Sequence, residues 1–229
     1  RVTKTINMKI GTIGRSGLIL LLIVGIQVIQ GCKASNTAKG TAIGAGSGAV
    51  IGGVIGHQSG NTAVGAIIGA AVGGSAGALI GHNMDKQAEE LQNDLKGATV
   101  ERVGEGIKIT FDSGLMFDFD SYSLTTGTQG NLTDLSKTLN KYPDTNILIE
   151  GHTDKSGTEA YNMDLSKKRG QAVSNFLKQN SVASSRLTTT GYGEDQPIST
   201  IDEENRRVEV AIYANKKMKK AAEKGQIGE

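Results

Sequence analysis

The C-terminal half of the chain predicts an α/β domain, a mixed sheet with helices on one face. Short apolar or alternating segments, typical of strands, take turns with longer segments whose apolar residues recur every three or four positions, as in helices. The order strand–helix–strand–helix–strand–strand favours helices layered on a sheet. The segment 99–213, about 115 residues, is long enough to bury a core of its own.

Each element of this domain has its own local signal. Residues 107–111 alternate between apolar and polar side chains, which predicts a strand. Leucines at helical spacing predict a helix over 124–139, which stops before Pro143. An apolar strand follows at 147–150, and a long helix at 158–179. The other strands are predicted at 99–103, 187–190 and 208–213.

A polar loop follows the strand at 147–150 and contains Asp154. Strand ends in such sheets are where ligands collect. The next helix carries Asn162, Ser166 and Arg169 at steps of three and four, so these side chains share one face. If that face covers the loop, a carboxylate and a guanidinium bracket one site suited to a zwitterion. The same spacing also fits a structural Asp–Arg pair.

Catalysis and metal binding have little support in this pattern. His152 lies near Asp154 and Ser166 in sequence, but no nucleophile elbow or oxyanion loop accompanies them. The single cysteine, Cys32, excludes an intramolecular disulfide and a thiolate zinc cluster. A net charge of +2 argues against a nucleic-acid partner. We therefore predict no enzyme activity, no cofactor and no metal site.

The first 31 residues have the pattern of a secretory signal peptide. Positive charges at Lys4, Lys9 and Arg15 precede an apolar run over 18–29, which is shorter than the roughly 20 residues of a membrane-spanning helix. The segment ends just before Cys32. We expect residues 1–31 to be a leader and 32–39 a tether.

Glycine recurs every fourth residue through most of 40–82. The glycines lie at 40, 44, 48, 52, 56 and 60, and again at 65, 69, 73, 77 and 81. This spacing marks one face of a helix and predicts two arms, 41–57 and 63–82, in a tight hairpin. Close helix packing would offset the roughly 1 kcal/mol that each helical glycine costs. The apolar residues between the glycines, Ile67 among them, would meet lipid or neighbouring copies, unless the segment is a flexible spacer.

The remaining segments are less informative. Residues 83–98 have helical spacing and charges, and we expect a helical connector that serves as a stalk or a solvated helix. Residues 214–229 are basic, and we expect a flexible, solvated tail.

The stretch from Phe111 to Tyr213 resembles the OmpA-like peptidoglycan-binding domain. The matching pieces are Phe117-Asp118-Phe119-Asp120, Gly151-His152-Thr153-Asp154, Asn162 with Leu165-Ser166 and Arg169, Gly191-Tyr192-Gly193-Glu194 with Pro197, and Asn205-Arg206-Arg207-Val208-Glu209. The resemblance implies non-covalent binding of the diaminopimelate in the peptidoglycan stem peptide.

The resemblance also implies roles for individual residues. Asp154 would hold the ammonium end of the ligand and Arg169 its carboxylate, while Asn162 and Thr153 add polar contacts. Two further residues, Asp120 and Arg207, would line or brace the site. Their sequence neighbours Asp118 and Arg206 are assigned structural roles.

The run Ile29-Gln30-Gly31-Cys32 resembles the bacterial lipobox, which implies acyl chains on Cys32. Lys33, where an Asp would signal inner-membrane retention, favours the outer membrane. With the glycine zipper, the chain is similar to YiaD-like OmpA-family lipoproteins. This implies a lipid-anchored tether between outer membrane and wall that faces the periplasm, with the zipper as a surface for homo-oligomers. A wall-anchored subunit of an oligomeric pore or transport complex is the alternative.

Overall fold

The computed structural model describes residues 61–118 and 120–227. The predictions for the leader, for acylation of Cys32, for the tether and for the first zipper arm at 41–57 lie outside the described residues.

The described chain contains seven α-helices and five strands. In chain order they are α1 (Thr62–Ala70), α2 (Gly74–Asp94), β1 (Ala98–Val103), β2 (Gly106–Asp112), α3 (Ser113–Met116), α4 (Thr126–Lys141), β3 (Thr145–Gly151), α5 (Glu159–Gln179), β4 (Leu187–Gly191), α6 (Asp202–Asn205), β5 (Arg207–Ala214) and α7 (Lys216–Glu223). Thr125 caps α4 and Thr158 caps α5, each accepting a hydrogen bond from an amide in the first turn.

The sheet confirms the predicted α/β fold. Its strand order is β1-β2-β5-β3-β4, with β3 and β4 parallel and the other pairs antiparallel. The central strand β5 is buried along its whole length. One face of the sheet carries α2, α4, α5 and α7, and the predicted leucines of α4 lie in this core with no exposed surface. Burial of this apolar layer is the main stabilising term of the fold.

The second zipper arm departs from the prediction of one helix over 63–82. The helix is interrupted between α1 and α2. Gly73 and Gly74 there have φ of +74° and +62°, in the left-handed region that favours glycine. The carboxylate of Glu105, in the β1–β2 turn, accepts hydrogen bonds from the amides of Val72 at 2.8 Å and Gly73 at 2.7 Å. The second helix then continues through the predicted connector to Asp94.

Helix α1 packs on the opposite face of the sheet. Its buried side chains Ala63, Ala66 and Ile67 contact Leu148 and Tyr213. The expectation that Ile67 meets lipid or another copy is therefore wrong, because the sheet offers this side chain an apolar surface. In the described residues, no helix is both long enough and apolar enough to cross a membrane.

Docking of α1 predicts unequal effects of two neighbouring isoleucines. Ile67 is fully buried, and Ile67→Ala is expected to remove about 2–4 kcal/mol of packing free energy. Faster amide hydrogen exchange across 62–70 would report the loosened helix. Ile68, which is partly exposed, supplies the matched control: Ile68→Ala should change exchange far less. Equal effects from the two variants would contradict the docking.

The C-terminal tail is also more ordered than the sequence predicts. Residues 216–223 form α7, whose N-cap Asn215 accepts hydrogen bonds from the amides of Lys217 and Met218. Met218 and Ala222 are buried in the main core. The expectation of a flexible, solvated segment is wrong here, because two apolar residues four positions apart give the basic helix one apolar face.

Two glycines bring α5 close to the sheet. A Cβ on Gly151 would lie 2.1 Å from the carbonyl oxygen of Ser166, and one on Gly191 would lie 2.4 Å from the amide nitrogen of Lys167. No other residue leaves room for this approach. It places the polar face of α5 over the loop that follows β3.

Candidate functional site

An open cavity of about 480 Å³ lies where the start of α5, the loop after β3 and the segment after β2 meet. Five charged side chains line it, three acidic and two basic: Asp118, Asp120, Asp154, Arg169 and Arg206. The predicted pair at 154 and 169 is thus brought to one cavity. A mixed set of charges in a concave site suits a ligand that carries both signs.

Asp154 is held in place by backbone and side-chain donors. One carboxylate oxygen accepts from the amide of Ser156 at 2.8 Å, and the other from Nη1 of Arg206 at 2.6 Å. Burial alone would raise the pKa of this carboxyl, but the hydrogen bonds from Arg206 and Ser156 outweigh it and lower the pKa. Asp154 is therefore an anion at neutral pH.

Arg169 has a different environment from Asp154. Its Nε donates to the carbonyl oxygen of Ser121 at 3.0 Å, and its guanidinium lies 5.2 Å from the centre of the Phe117 ring. Nη1 lies 3.5 Å from Oγ of Ser113. Within the described residues Arg169 forms no salt bridge, and burial lowers its pKa without neutralising it. The structural Asp154–Arg169 ion pair is thus not formed, and Arg169 lines the cavity.

Three of the other residues predicted to contact the ligand or brace its site, Asn162, Thr153 and Asp120, line the cavity. Asn162 lines the cavity, and its side-chain amide donates to the carbonyl oxygen of Asp154 at 3.2 Å and to Glu194 at 2.6 Å. Thr153 also lines the cavity, and its buried hydroxyl has no hydrogen-bond partner in the described part of the chain. Asp120 accepts a hydrogen bond from the hydroxyl of Tyr161 at the cavity wall.

The structure changes the role expected of Arg206, and of the two roles expected of Arg207, lining or bracing the site, it excludes the first. Arg206 lines the cavity and binds Asp154, whereas the buried side chain of Arg207 lies elsewhere and pairs with Glu209. Successive side chains in extended backbone point to opposite faces, so only one of two adjacent arginines can reach the site. The expected structural role of Asp118 also changes, because its side chain lines the cavity.

A second polar cluster is buried on the face of the sheet that carries Leu148 and Ala211, the face on which α1 packs. Arg207 bonds to Glu209 at 2.6 Å, while Glu150 and His152 lie beside them with almost no exposed surface. Burial, then the charge of Glu209, raise the pKa of Glu150 to about 8. Burial, then Arg207, lower the pKa of His152, which is therefore neutral. The alternation of Glu150 with His152, and of Arg207 with Glu209, is the sequence signal for this cluster.

This cluster has the composition of a metal site. Donor atoms of Glu150, His152 and Glu209 lie within 4.8 Å of one another. The guanidinium of Arg207, bonded to Glu209, already supplies a compensating positive charge. The absence of a metal site stays a prediction.

The raised pKa of Glu150 predicts a pH-dependent stability. Between the ordinary carboxyl pKa and about 8, the folded chain binds one proton more than the unfolded chain, so the free energy of unfolding falls as pH rises. Glu150→Gln is expected to flatten this slope and to stabilise the fold at pH 7 by about 3 kcal/mol. Urea unfolding at pH 5 and 7 measures it. The control is Glu101→Gln, at an exposed carboxylate, which should leave the pH dependence unchanged. If the free energy of unfolding of Glu150→Gln fell with pH as steeply as that of the wild type, the account would be contradicted.

The sheet and its charged cavity together define an α/β ligand-binding module. Residues 116–211 match the model of the OmpA family, and residues 12–85 match that of the YMGG-like Gly-zipper. A peptidoglycan-associated lipoprotein of Agrobacterium fabrum is 31% identical over 121 residues, a match covering 53% of this chain and 68% of the relative. The chain belongs to the OmpA family.

Other relatives align over smaller shares of their length. Outer membrane porin F of Pseudomonas fluorescens is 36% identical over 49% of this chain, and the match spans 35% of the porin. The probable lipoprotein YiaD of Escherichia coli is 32% identical over 58% of this chain, and the match spans 64% of YiaD. Thus the chain spans between a third and two thirds of these two relatives.

A solved structure shares the fold. The cell wall anchor of the T6SS from Pseudomonas aeruginosa superposes with a TM-score of 0.50 at 25% identity, covering 58% of this chain and 97% of that one.

Proposed function

We propose that the protein binds peptidoglycan non-covalently through the diaminopimelate of the stem peptide. One observation carries this proposal: Asp154 and Arg169 line the same open cavity, and Arg169 has no carboxylate partner among the described residues. A ligand carboxylate can accept hydrogen bonds from the Nη groups of that guanidinium, in a partly desolvated place where the contact is strong.

The charges of the cavity fit an amino acid with an ammonium and a carboxylate. Three acidic and two basic side chains leave an excess of negative charge, which favours the ammonium. One oxygen of Asp154 already accepts a hydrogen bond from Arg206, which holds the carboxylate in place. The ligand ammonium would donate a further hydrogen bond to this carboxylate. The unpartnered hydroxyl of Thr153 supplies a neutral donor or acceptor at the same wall.

The names of two similar proteins support this proposal. One is a peptidoglycan-associated lipoprotein, and the other is a cell wall anchor. We further propose that the chain is non-catalytic and is held in the outer membrane by acyl chains on Cys32, so that it tethers that membrane to the wall. Self-association through the zipper would place several binding domains on one sacculus and strengthen attachment without new contacts.

Retention on purified sacculi tests wall binding. Asp154→Asn removes the charge while keeping the shape, and we expect its retention to fall about tenfold or more. Asp134, an exposed carboxylate paired with Lys137 on α4, gives the matched control Asp134→Asn, which should bind like the wild type. Wild-type retention of Asp154→Asn would contradict the assignment of the site.

The lipid anchor needs a separate experiment. Metabolic labelling with a fatty-acid probe should mark the wild-type chain but not Cys32→Ser. A labelled Cys32→Ser chain would contradict acylation at this cysteine without affecting the proposal for the cavity.

A further inference from the structure

Two aromatic side chains stand exposed beside the cavity. Among the aromatic residues that the structure describes, Tyr122 and Tyr161 are the exposed ones, at 50% and 45% of their surface. Neither belongs to an apolar core of the domain. Exposed apolar surface next to a cavity often marks a binding site, so these rings indicate that a ligand packs on them.

Both rings are held in position by neighbouring groups. Tyr161 lies in the first turn of α5, and its hydroxyl donates to Asp120. The ring of Tyr122 lies 5.5 Å from Nζ of Lys168, which is itself bonded to Asp164 at 2.7 Å. Rings fixed before binding lose little conformational entropy when a ligand stacks on them.

The two rings lie at the Arg169 end of the cavity. Tyr161 lines the cavity directly. Tyr122 follows Ser121, whose carbonyl oxygen accepts the hydrogen bond from Nε of Arg169. Each ring is thus linked to the part of the site that holds Arg169, which would receive the ligand carboxylate.

We propose that Tyr122 and Tyr161 form a stacking platform for the amino sugar that carries the stem peptide. This inference rests on the proposed function and adds a sugar to the ligand that the site recognises. A pyranose ring presents a face of C–H groups, which packs on the negative face of an aromatic ring. Its hydroxyl and acetamido groups remain at the polar edge, within reach of Lys168.

The length of the ligand agrees with this placement. Two amino acids and the lactyl group of the amino sugar separate the diaminopimelate from the pyranose ring, and two extended residues alone span about 7 Å. A sugar attached to a peptide that is seated in the cavity therefore lies outside the cavity, within the length of this short linker. Tyr122 and Tyr161 offer exposed aromatic surface within that distance.

Two soluble probes separate the platform from the amino-acid site. One is the stem tripeptide that contains diaminopimelate, and the other is the same tripeptide attached to its disaccharide. Titration of the full chain in detergent is expected to give about three- to tenfold tighter binding of the disaccharide probe. Tyr122→Leu should abolish this difference and leave the tripeptide affinity unchanged, while Tyr122→Phe, which keeps the ring, should retain it.

The outcomes distinguish the two proposals. Equal affinity of the wild type for both probes, or an equal loss for both probes in Tyr122→Leu, would overturn the platform. Failure of the tripeptide to bind, together with Tyr122-dependent binding of the disaccharide probe, would support the platform and overturn the amino-acid site. Failure of both probes to bind would overturn both proposals.

Discussion

Arg169→Met is expected to reduce retention on sacculi by about 10- to 100-fold, the range for a lost charge-assisted hydrogen bond. Arg169 lines the cavity, and its Nε donates a hydrogen bond to the carbonyl oxygen of Ser121. Methionine keeps much of the aliphatic length but offers no donor. Co-sedimentation of the protein with sacculi over a range of wall concentrations measures the change.

A conservative variant separates charge from geometry at this position. Arg169→Lys keeps the positive charge but cannot make two parallel hydrogen bonds to a carboxylate, so its retention should fall between wild type and Arg169→Met. Unchanged unfolding temperatures would show that the variants remain folded. Retention of Arg169→Met at the wild-type level would remove the carboxylate contact from the account.

Arg207→Met is expected to have the largest effect on stability, a loss of about 3–5 kcal/mol in the free energy of unfolding. Arg207 is 2% exposed and bonds to Glu209, to the carbonyl oxygen of Asn205 at 3.3 Å and to that of Gln196 at 3.2 Å. Its removal leaves the Glu209 carboxylate buried beside Glu150 without a cation. Equilibrium unfolding in urea at pH 7 measures the loss.

Removing both members of the pair tests the cause. The double variant Arg207→Met with Glu209→Leu should recover much of the lost stability, because no uncompensated charge then remains in the interior. A double variant as unstable as Arg207→Met alone would mean that the packing of the arginine, not its charge, stabilises the fold.

The sheet and its helices could be predicted from sequence because their signals are local. Alternation marks 107–111, and leucines at helical spacing mark α4; both elements formed near the predicted bounds. The docking of α1 could not be predicted, because glycine spacing describes a helix face and not what that face meets. The apolar strip of the sheet that receives Ile67 is formed by residues far away in sequence.

The candidate site could be predicted only in part, because some of its features have local sequence signals and others depend on long-range contacts. Asp154 and Arg169 could be placed together because a strand end and one helix face define them. The choice between Arg206 and Arg207 depends on where β5 begins, and a shift of one residue exchanges the faces of both side chains. The break at Gly73 depends on Glu105, a contact across 32 residues that no local pattern reveals.

The most direct test of the central claim compares two soluble tripeptides that differ at one residue. One carries diaminopimelate, and the other carries lysine, which has the same side-chain amine but lacks the second carboxylate. Calorimetric titration of the detergent-solubilised chain should show the diaminopimelate peptide binding about 10- to 100-fold more tightly, with the difference lost in Arg169→Met. Equal affinity of the wild type for the two peptides would contradict the claim that Arg169 receives that carboxylate.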